Sequence, residues 1–372
     1  MTSKKSDYDA IIIGARVAGS ITGSLLGDQG HSVLVLDRAH FPSDTLSTHF
    51  FRAPSFRSFD AIGVMDEVGK AAPKLRVNYN VIDGTVFPEP VDRPDDYPFF
   101  MCIRRITLDD ILVRRLKRTP NVEMIEGAKA RELLRDDDGK VIGVQWKDED
   151  GLQEARARVV IGADGVRSFV AKEVEAVEEQ EEEVTRAMYF AYYKNVPHNE
   201  GPAAEFHYRG NHIGYVMPTD HDLTLLAISV PIDKFSKFKR DPEGQLLAEL
   251  EKMTEVAARL AQAERDSKVL GTGSIPCYMR IPYGPGWALV GDASLALDPW
   301  SGQGIDQGSS HAVMLGKHMG DYLSGKKDWK TAMSAHHKER NEFSEKAYRR
   351  TAKFGHDLRP MTDVALAKRG LK

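Results

Sequence analysis

The chain has 372 residues, with 51 basic and 55 acidic side chains and a formal net charge of −4, so it has room for one large or two intimate domains around a real core. Its 41% hydrophobic and 28% charged residues exclude a disordered or fibrous protein, and the charge balance offers no electrostatic reason to bind nucleic acid or an anionic membrane surface. The two cysteines, Cys102 and Cys277, form no CxxC pair, and neither a secretory leader nor a membrane span is expected, so a metal-free cytoplasmic protein is the expectation.

Tyr8 to Ile13 is continuous and β-branched, the pattern of a strand buried on both faces of a parallel sheet. Val17 to Asp28 has helical spacing with Gly30 as its stop, and Ser32 to Leu36 is a second buried strand closed by Asp37. Together they form one βαβ unit. Residues 41–100, dense in Pro, Phe and Ser, predict long loops with a few short elements. Thr107 to Lys117, with apolar residues at 108, 111, 112 and 116, predicts an amphipathic helix with a basic outer side.

Val122–Ile125, Ala130–Arg135 and Val141–Trp146 predict a small meander turning at Asp138-Gly139, and Val159–Gly162 a further buried strand. Glu173 to Glu183 holds seven glutamates in eleven residues and reads as a solvated helix or linker. From Ala187 to Val230 the pattern alternates, as in an antiparallel sheet. Glu243–Asp266 predicts one helix, Trp287–Val290 a last buried strand, Gly304 the start of a long helix, and the polar stretch after 328 more helix. A parallel-sheet domain from residues 1–75, 100–180 and 270–330 is therefore expected, with 76–99 and 181–269 as an inserted domain and 331–372 as a helical tail.

Three segments carry chemistry. Gly14-Ala15-Arg16-Val17-Ala18-Gly19 lies between strand and helix, the context in which GxGxxG binds a dinucleotide, although Arg16 replaces the middle glycine. The helix start favours a phosphate, and Asp37 stands where a carboxylate accepts bonds from ribose hydroxyls and disfavours a 2′-phosphate. Gly162-Ala163-Asp164-Gly165-Val166-Arg167-Ser168 follows one buried strand. Gly291-Asp292-Ala293 follows another, with Asp298-Pro299-Trp300-Ser301-Gly302-Gln303-Gly304 and a helix after it.

With these three segments in this order, the chain resembles the FAD-dependent group A monooxygenases, the p-hydroxybenzoate hydroxylase-like superfamily that geranylgeranyl reductases and flavin-dependent halogenases share. The resemblance implies an α/β fold: a Rossmann-like FAD-binding domain of the GR2 type with an inserted antiparallel substrate sheet. It implies that Gly14 and Gly19 hold the pyrophosphate with Arg16 and Ala18 beside them, and that Asp37, next to Arg38, holds the adenosine ribose. It also places Ala130 at the adenine, Arg105 (or its neighbour Arg104) at the phosphate or ribityl chain, Asp164 in the DG motif and Asp292 at the ribityl chain or pyrophosphate. Pro299, Gly302, Gln303, Gly304 and Ile305 would face the isoalloxazine, whose N1–C2=O edge becomes negative on reduction and is stabilised by a helix N-terminus. Leu295 stands where many members carry histidine.

No second dinucleotide fingerprint is present, so NAD(P)H is expected as a transient reductant. Reduced flavin would then meet O2, form a C4a-hydroperoxide and hydroxylate or epoxidise a small aromatic or polyketide-like substrate. His49 and Arg52 are the catalytic candidates, His49 as a base toward a phenol. Thr48, His207, Tyr215 and Met217 are the pocket candidates. His311 and His318, seven apart on one helix, read as packing residues rather than metal ligands. Alternatives are a geranylgeranyl reductase-like C=C reductase, a halogenase (against which no WxWxIP segment occurs) and a flavin-binding regulator without catalysis.

Overall fold

The computed structural model describes residues 7–47, 49–91, 97–198 and 201–371; the pocket candidate Thr48 lies outside them. The first sheet is built on strand Tyr8–Ile13, which lies between Gly151–Gly162 and Val33–Leu36 with parallel pairings Ile12↔Ile161 and Ile12↔Val35. Val122–Ile125 and Trp287–Leu289 extend it on either side, again in parallel. Period-2 alternation explains why this strand is apolar throughout. Ala10 and Ile12 face a layer of helices, among them Val17–Asp28, Arg105–Lys117 and Gly304–Leu323, while Ile11 and Ile13 face Val144 and Trp146 of the meander.

The expected short strand at Val159–Gly162 is the second half of a twelve-residue strand. Its first half pairs antiparallel with Val141–Asp148, and its second half crosses into the parallel sheet.

The second sheet runs, in spatial order, Glu264–Arg265, Arg186–Lys194, Thr224–Pro231, His212–Pro218, Ala203–Arg209, Val77–Ile82 and Thr85–Pro90. All its pairings are antiparallel except Val77–Ile82 beside Ala203–Arg209, which is parallel. One face packs under helices through Tyr189, Val216, Leu226, Phe238, Leu246 and Met253. The other carries Met188, Phe190, Tyr215, Met217 and Leu225 toward Phe50 and Trp300.

Three expectations from the sequence are corrected. Residues 41–100 hold more order than expected, with helices Ala53–Ala61 and Met65–Ala71 and the hairpin Val77–Ile82/Thr85–Pro90. The single helix expected over 243–266 is two, Pro242–Leu250 and Thr254–Leu260, because Met253 turns extended and buries its side chain against the sheet at Gly214. The acidic stretch contains a strand, Glu178–Glu182, paired antiparallel with Cys277–Arg280. Its charges are answered by Arg280 across the ladder, for Glu178, and by His337 on the helix Trp329–Gly355, for Glu179.

The polar tail forms a 27-residue helix, Trp329–Gly355, docked on Gly304–Leu323. Ser344 Oγ donates to Gln307 Oε1 at 2.7 Å and pairs with His311 Nε2 at 2.8 Å, so His311 is a packing residue. Arg340, fully buried, donates to Ser294 Oγ at 2.9 Å and to the Arg280 carbonyl at 2.9 Å. Trp300 Nε1 donates to the Thr351 carbonyl at 3.2 Å. The tail thus braces the loops that follow the last parallel strand. Among the described residues, no helix is long and apolar enough to cross a membrane.

Candidate functional site

The first strand ends at Gly14, whose φ of +103° suits glycine, and a Cβ there would stand 2.4 Å from the Ala163 carbonyl oxygen. At Gly19 a Cβ would meet the Gly14 carbonyl oxygen at 1.7 Å, so the turn and helix touch backbone to backbone. The N–H groups of Val17, Ala18 and Gly19 have no backbone acceptor among the described residues, as at any helix start, and form a row of donors suited to an anion.

Asp37 is buried at the end of the second strand, where its two oxygens accept from Ala15 N at 2.7 Å and Ala39 N at 2.8 Å. Each oxygen keeps a lone pair for a further donor. Arg38 beside it is exposed. The neighbouring segment approaches through Ala128, whose N–H donates to the Asp37 carbonyl at 2.8 Å, and Ala130 lies two residues on, opposite Trp146.

Arg16 does not point back along the helix start. Its guanidinium donates to Asp109 Oδ2, to Ser43 O at 3.2 Å and Oγ at 3.2 Å, and to Asp44 O at 3.1 Å. Asp109, fully buried, also accepts from Arg105 Nε at 2.9 Å. Arg104 is tied to Asp220 at 3.0 Å, in the turn between His212–Pro218 and Thr224–Pro231, while Arg105 is held by Asp109 and is the cation that opposes the effect of burial on Asp292.

Asp164 serves the short helix Phe169–Glu173, accepting from Ser168 Oγ, from Phe169 N at 2.6 Å and from Val170 N at 3.2 Å. Burial raises its pKa against the pull of these donors. Asp292 differs in that its carboxylate accepts no hydrogen bond from the described residues. Burial raises its pKa to about 6, opposed by Arg105.

The loop after it is shaped by Asp298, which accepts from Trp300 N, and by Gly302 at φ +61°. Gln303 caps the long helix that begins at Gly304, leaving the first-turn N–H groups, that of buried Ile305 included, without backbone acceptors. Arg52 fixes this loop. Its N–H and Nε donate to Asp306 at 2.9 and 2.7 Å, its Nη2 donates to the Gly302 carbonyl at 2.9 Å, and Ser55 Oγ adds a bond to Asp306 at 2.7 Å. The guanidinium of this catalytic candidate is therefore engaged in holding the loop.

A tight apolar hollow, with about 10 Å³ of free volume, lies between this loop and the inner face of the second sheet. Pro299 and Gly302 close one end, and Phe50, Phe190, Phe206, Met188 and the pocket candidates Tyr215 and Met217 form its walls. Tyr215 has its hydroxyl turned to the Trp300 carbonyl at 2.8 Å.

His207 is not there. Strand parity sends Phe206 into the cavity and His207 to the opposite face, where it bonds Glu205 Oε2 at 2.9 Å. Arg259 grips the same carboxylate at 2.8 and 2.7 Å. Burial would raise the pKa of Glu205, but His207 and Arg259 bring it down to about 2.

His49 is fully buried, held at φ +61°, with Nε2 2.6 Å from the Tyr192 hydroxyl. Burial, helped by Arg105, lowers its pKa to about 3, so it is neutral near pH 7 and a weak proton acceptor. The group expected to act as a base toward a phenol therefore has the buried Tyr192 hydroxyl as its partner. Sequence reasoning missed Asp109, Asp306 and Phe206. The i,i+4 spacing of Arg105 and Asp109 was a usable signal for the first.

The residues present fit FAD. A glycine-tight turn leaves backbone donors for a diphosphate, Asp37 keeps acceptor capacity at the strand end, and Asp292 offers an unpaired carboxylate between them and the long helix. Residues 7–351 match the model of the FAD binding domain family. The chain belongs to that family. It is an FAD-dependent oxidoreductase of the monooxygenase, halogenase and reductase superfamily, and the matched region includes the tail helix almost to its end.

The chain is 26% identical over 343 residues to a 1H-pyrrole-2-carbonyl-peptidyl-carrier-protein brominase of Pseudoalteromonas luteoviolacea, covering 90% of this chain and 82% of that one. It is 26% identical over 324 residues to digeranylgeranylglycerophospholipid reductase 1 of Methanopyrus kandleri, covering 85% and 80%. Among solved structures, the myxobacterial chondrochloren halogenase CndH superposes with a TM-score of 0.84 at 21% identity, over 92% of this chain and 81% of that chain, a likeness of fold.

The unpaired Asp292 has a measurable consequence. Its folded-state pKa of about 6 lies above its ordinary 3.8, so the folded protein binds the proton more tightly than the unfolded chain does. FAD-free protein should therefore lose stability as pH rises from about 4 to 6 and lose no more from this group above that. Asp292→Asn removes the penalty and should make the FAD-free protein about 1–2 kcal/mol more stable above pH 6, while weakening FAD retention. Urea unfolding of both proteins from about pH 4 to 7.5 checks it: parallel curves would show that this carboxylate carries no such penalty.

Proposed function

We propose that the protein is an FAD-dependent monooxygenase that uses NAD(P)H and O2 to hydroxylate or epoxidise a small, uncharged organic substrate in the cavity. The observation that carries this reading is the wall of this hollow, which is mostly apolar and aromatic and, among the described residues, without a charged side chain. FAD, once reduced, would supply the activation of oxygen. The chain's own contribution is to hold and shield. The backbone donors before Asp306 stabilise negative charge at the ring edge, Arg52 and Asp306 keep those donors aimed, and the walls exclude water.

A second reading, halogenation, is favoured by the brominase likeness across 90% of the chain. One experiment separates the readings. The FAD-loaded protein is given NADH or NADPH in air with a panel of small phenols and styrenes, with and without bromide, and products are resolved by mass. Gain of one oxygen atom supports the proposal. Gain of bromine selects the second reading, and gain of two hydrogens without oxygen overturns both. Anaerobic bleaching of the flavin by NADH or NADPH alone tests the reductant.

A further inference from the structure

We propose that Arg16, standing where the glycine turn ordinarily has its second glycine, is a positioning residue that couples the diphosphate site to the cavity wall. Its backbone belongs to the turn that would bind the diphosphate, and its side chain leaves that turn altogether. The fork of the guanidinium makes three hydrogen bonds to the segment after the second strand, two to Ser43 and one to Asp44. That segment has no regular secondary structure, and three residues beyond Asp44 it supplies Ser47 to the cavity. A glycine at this position could serve the diphosphate but could not reach the segment.

The charges give the coupling its direction. Asp109 is one buried carboxylate shared by two guanidiniums, those of Arg16 and Arg105. The trio itself therefore sums to one positive charge, with the Asp37 carboxylate bonded to Ala15 N on the same turn, and the donors of Val17 to Gly19 add positive potential at the helix start. A diphosphate anion there offsets that excess and holds Arg16 more firmly in place, and with it residues 43–47. When the cofactor is absent, the same excess charge loosens the fork and frees the wall. FAD binding would in this way complete the substrate cavity as well as fill its own site. The coupling rests on the FAD site; only the naming of the cavity as the substrate site rests on the proposed function, and the following measurement does not use a substrate.

Amide hydrogen exchange of residues 41–47 is compared in wild-type, Arg16→Gln and Arg16→Lys proteins, each without FAD and with saturating FAD confirmed by absorbance. In wild type, FAD should slow exchange of this segment roughly tenfold. Arg16→Gln should bind FAD and show no such slowing, while the first strand and helix keep wild-type protection. Arg16→Lys, which keeps the charge and loses the fork, should recover part of the effect. Equal FAD-dependent protection in wild type and Arg16→Gln overturns the proposal, as does an absence of protection in wild type. If Arg16→Gln does not fold, Arg16→Lys decides alone: protection between the two extremes supports the coupling, and full wild-type protection overturns it.

Discussion

Gly19→Ala is expected to yield a colourless protein. Its new Cβ would lie 1.7 Å from the Gly14 carbonyl oxygen, well inside any tolerable contact, so one of the two backbones has to move. Gly14 cannot give way easily. Its N–H is bonded to the Leu36 carbonyl at 2.8 Å, and its own open face already rests on the Ala163 carbonyl. The helix must therefore shift, and its row of N–H donors shifts with it. Overpacking of this kind costs about 1–3 kcal/mol of stability. Displacing several donors from one anion should weaken FAD binding roughly 100-fold or more, equivalent to about 2.7 kcal/mol. Absorbance near 450 nm after desalting and flavin-fluorescence titration measure it. Gly69→Ala, with no atom closer than 3.7 Å to its Cβ, is the matched control and should bind as wild type.

Asp306→Ala should produce the second large effect, at the other end of the cofactor site. This buried carboxylate accepts from two donors of Arg52 and from Ser55 Oγ. Removing it strands a largely buried guanidinium whose remaining partner, the Gly302 carbonyl, sits on the loop that would face the flavin ring. Breaking a buried ion pair from one side costs about 3–5 kcal/mol, and the exposure of Arg52 puts the expectation at the lower figure. The loop should also lose aim at the ring edge. A loss of ~1.4 kcal/mol in stabilising the reduced flavin would lower its two-electron potential by about 30 mV. Thermal unfolding with FAD present and a dye-equilibrated potential test both parts. An unchanged potential together with a lowered unfolding temperature would restrict Asp306 to a structural role.

The features legible in the sequence were those written locally. A β-branched run followed by glycine, helix and strand shows its parallel sheet in a short window, and each later cofactor motif directly follows a buried strand. What escaped depended on direction or on distance. Phe206 and His207 differ by one position, and only the register of Ala203–Arg209 on its neighbours decides which one enters the cavity. The glutamates at 178–182 hide a strand because the partners that answer their charge lie about a hundred or more residues away, at Arg280 and His337. Asp109 and Asp306 sit in helices, where an acidic residue usually faces water. Arg52 and Arg16, on other elements, answer them, and apart from Arg105 one turn before Asp109 no local pattern displays these partners.

The order of the first sheet also governs how the protein comes into being. Strand Tyr8–Ile13 takes one partner from residues 33–36 but the other from 157–162, and the sheet gains its next strand only at 287–289. Loop closures of that span put the entropic cost of folding ahead of its rewards, so this is a high-contact-order, slowly folding topology. The diphosphate turn packs on Ala163, so it cannot take its final form before the middle of the chain arrives. During that interval the apolar strand is exposed and prone to wrong pairing. Adding FAD to refolding protein should raise the yield of native molecules by draining the last equilibrium, and should leave the earliest collapse unchanged.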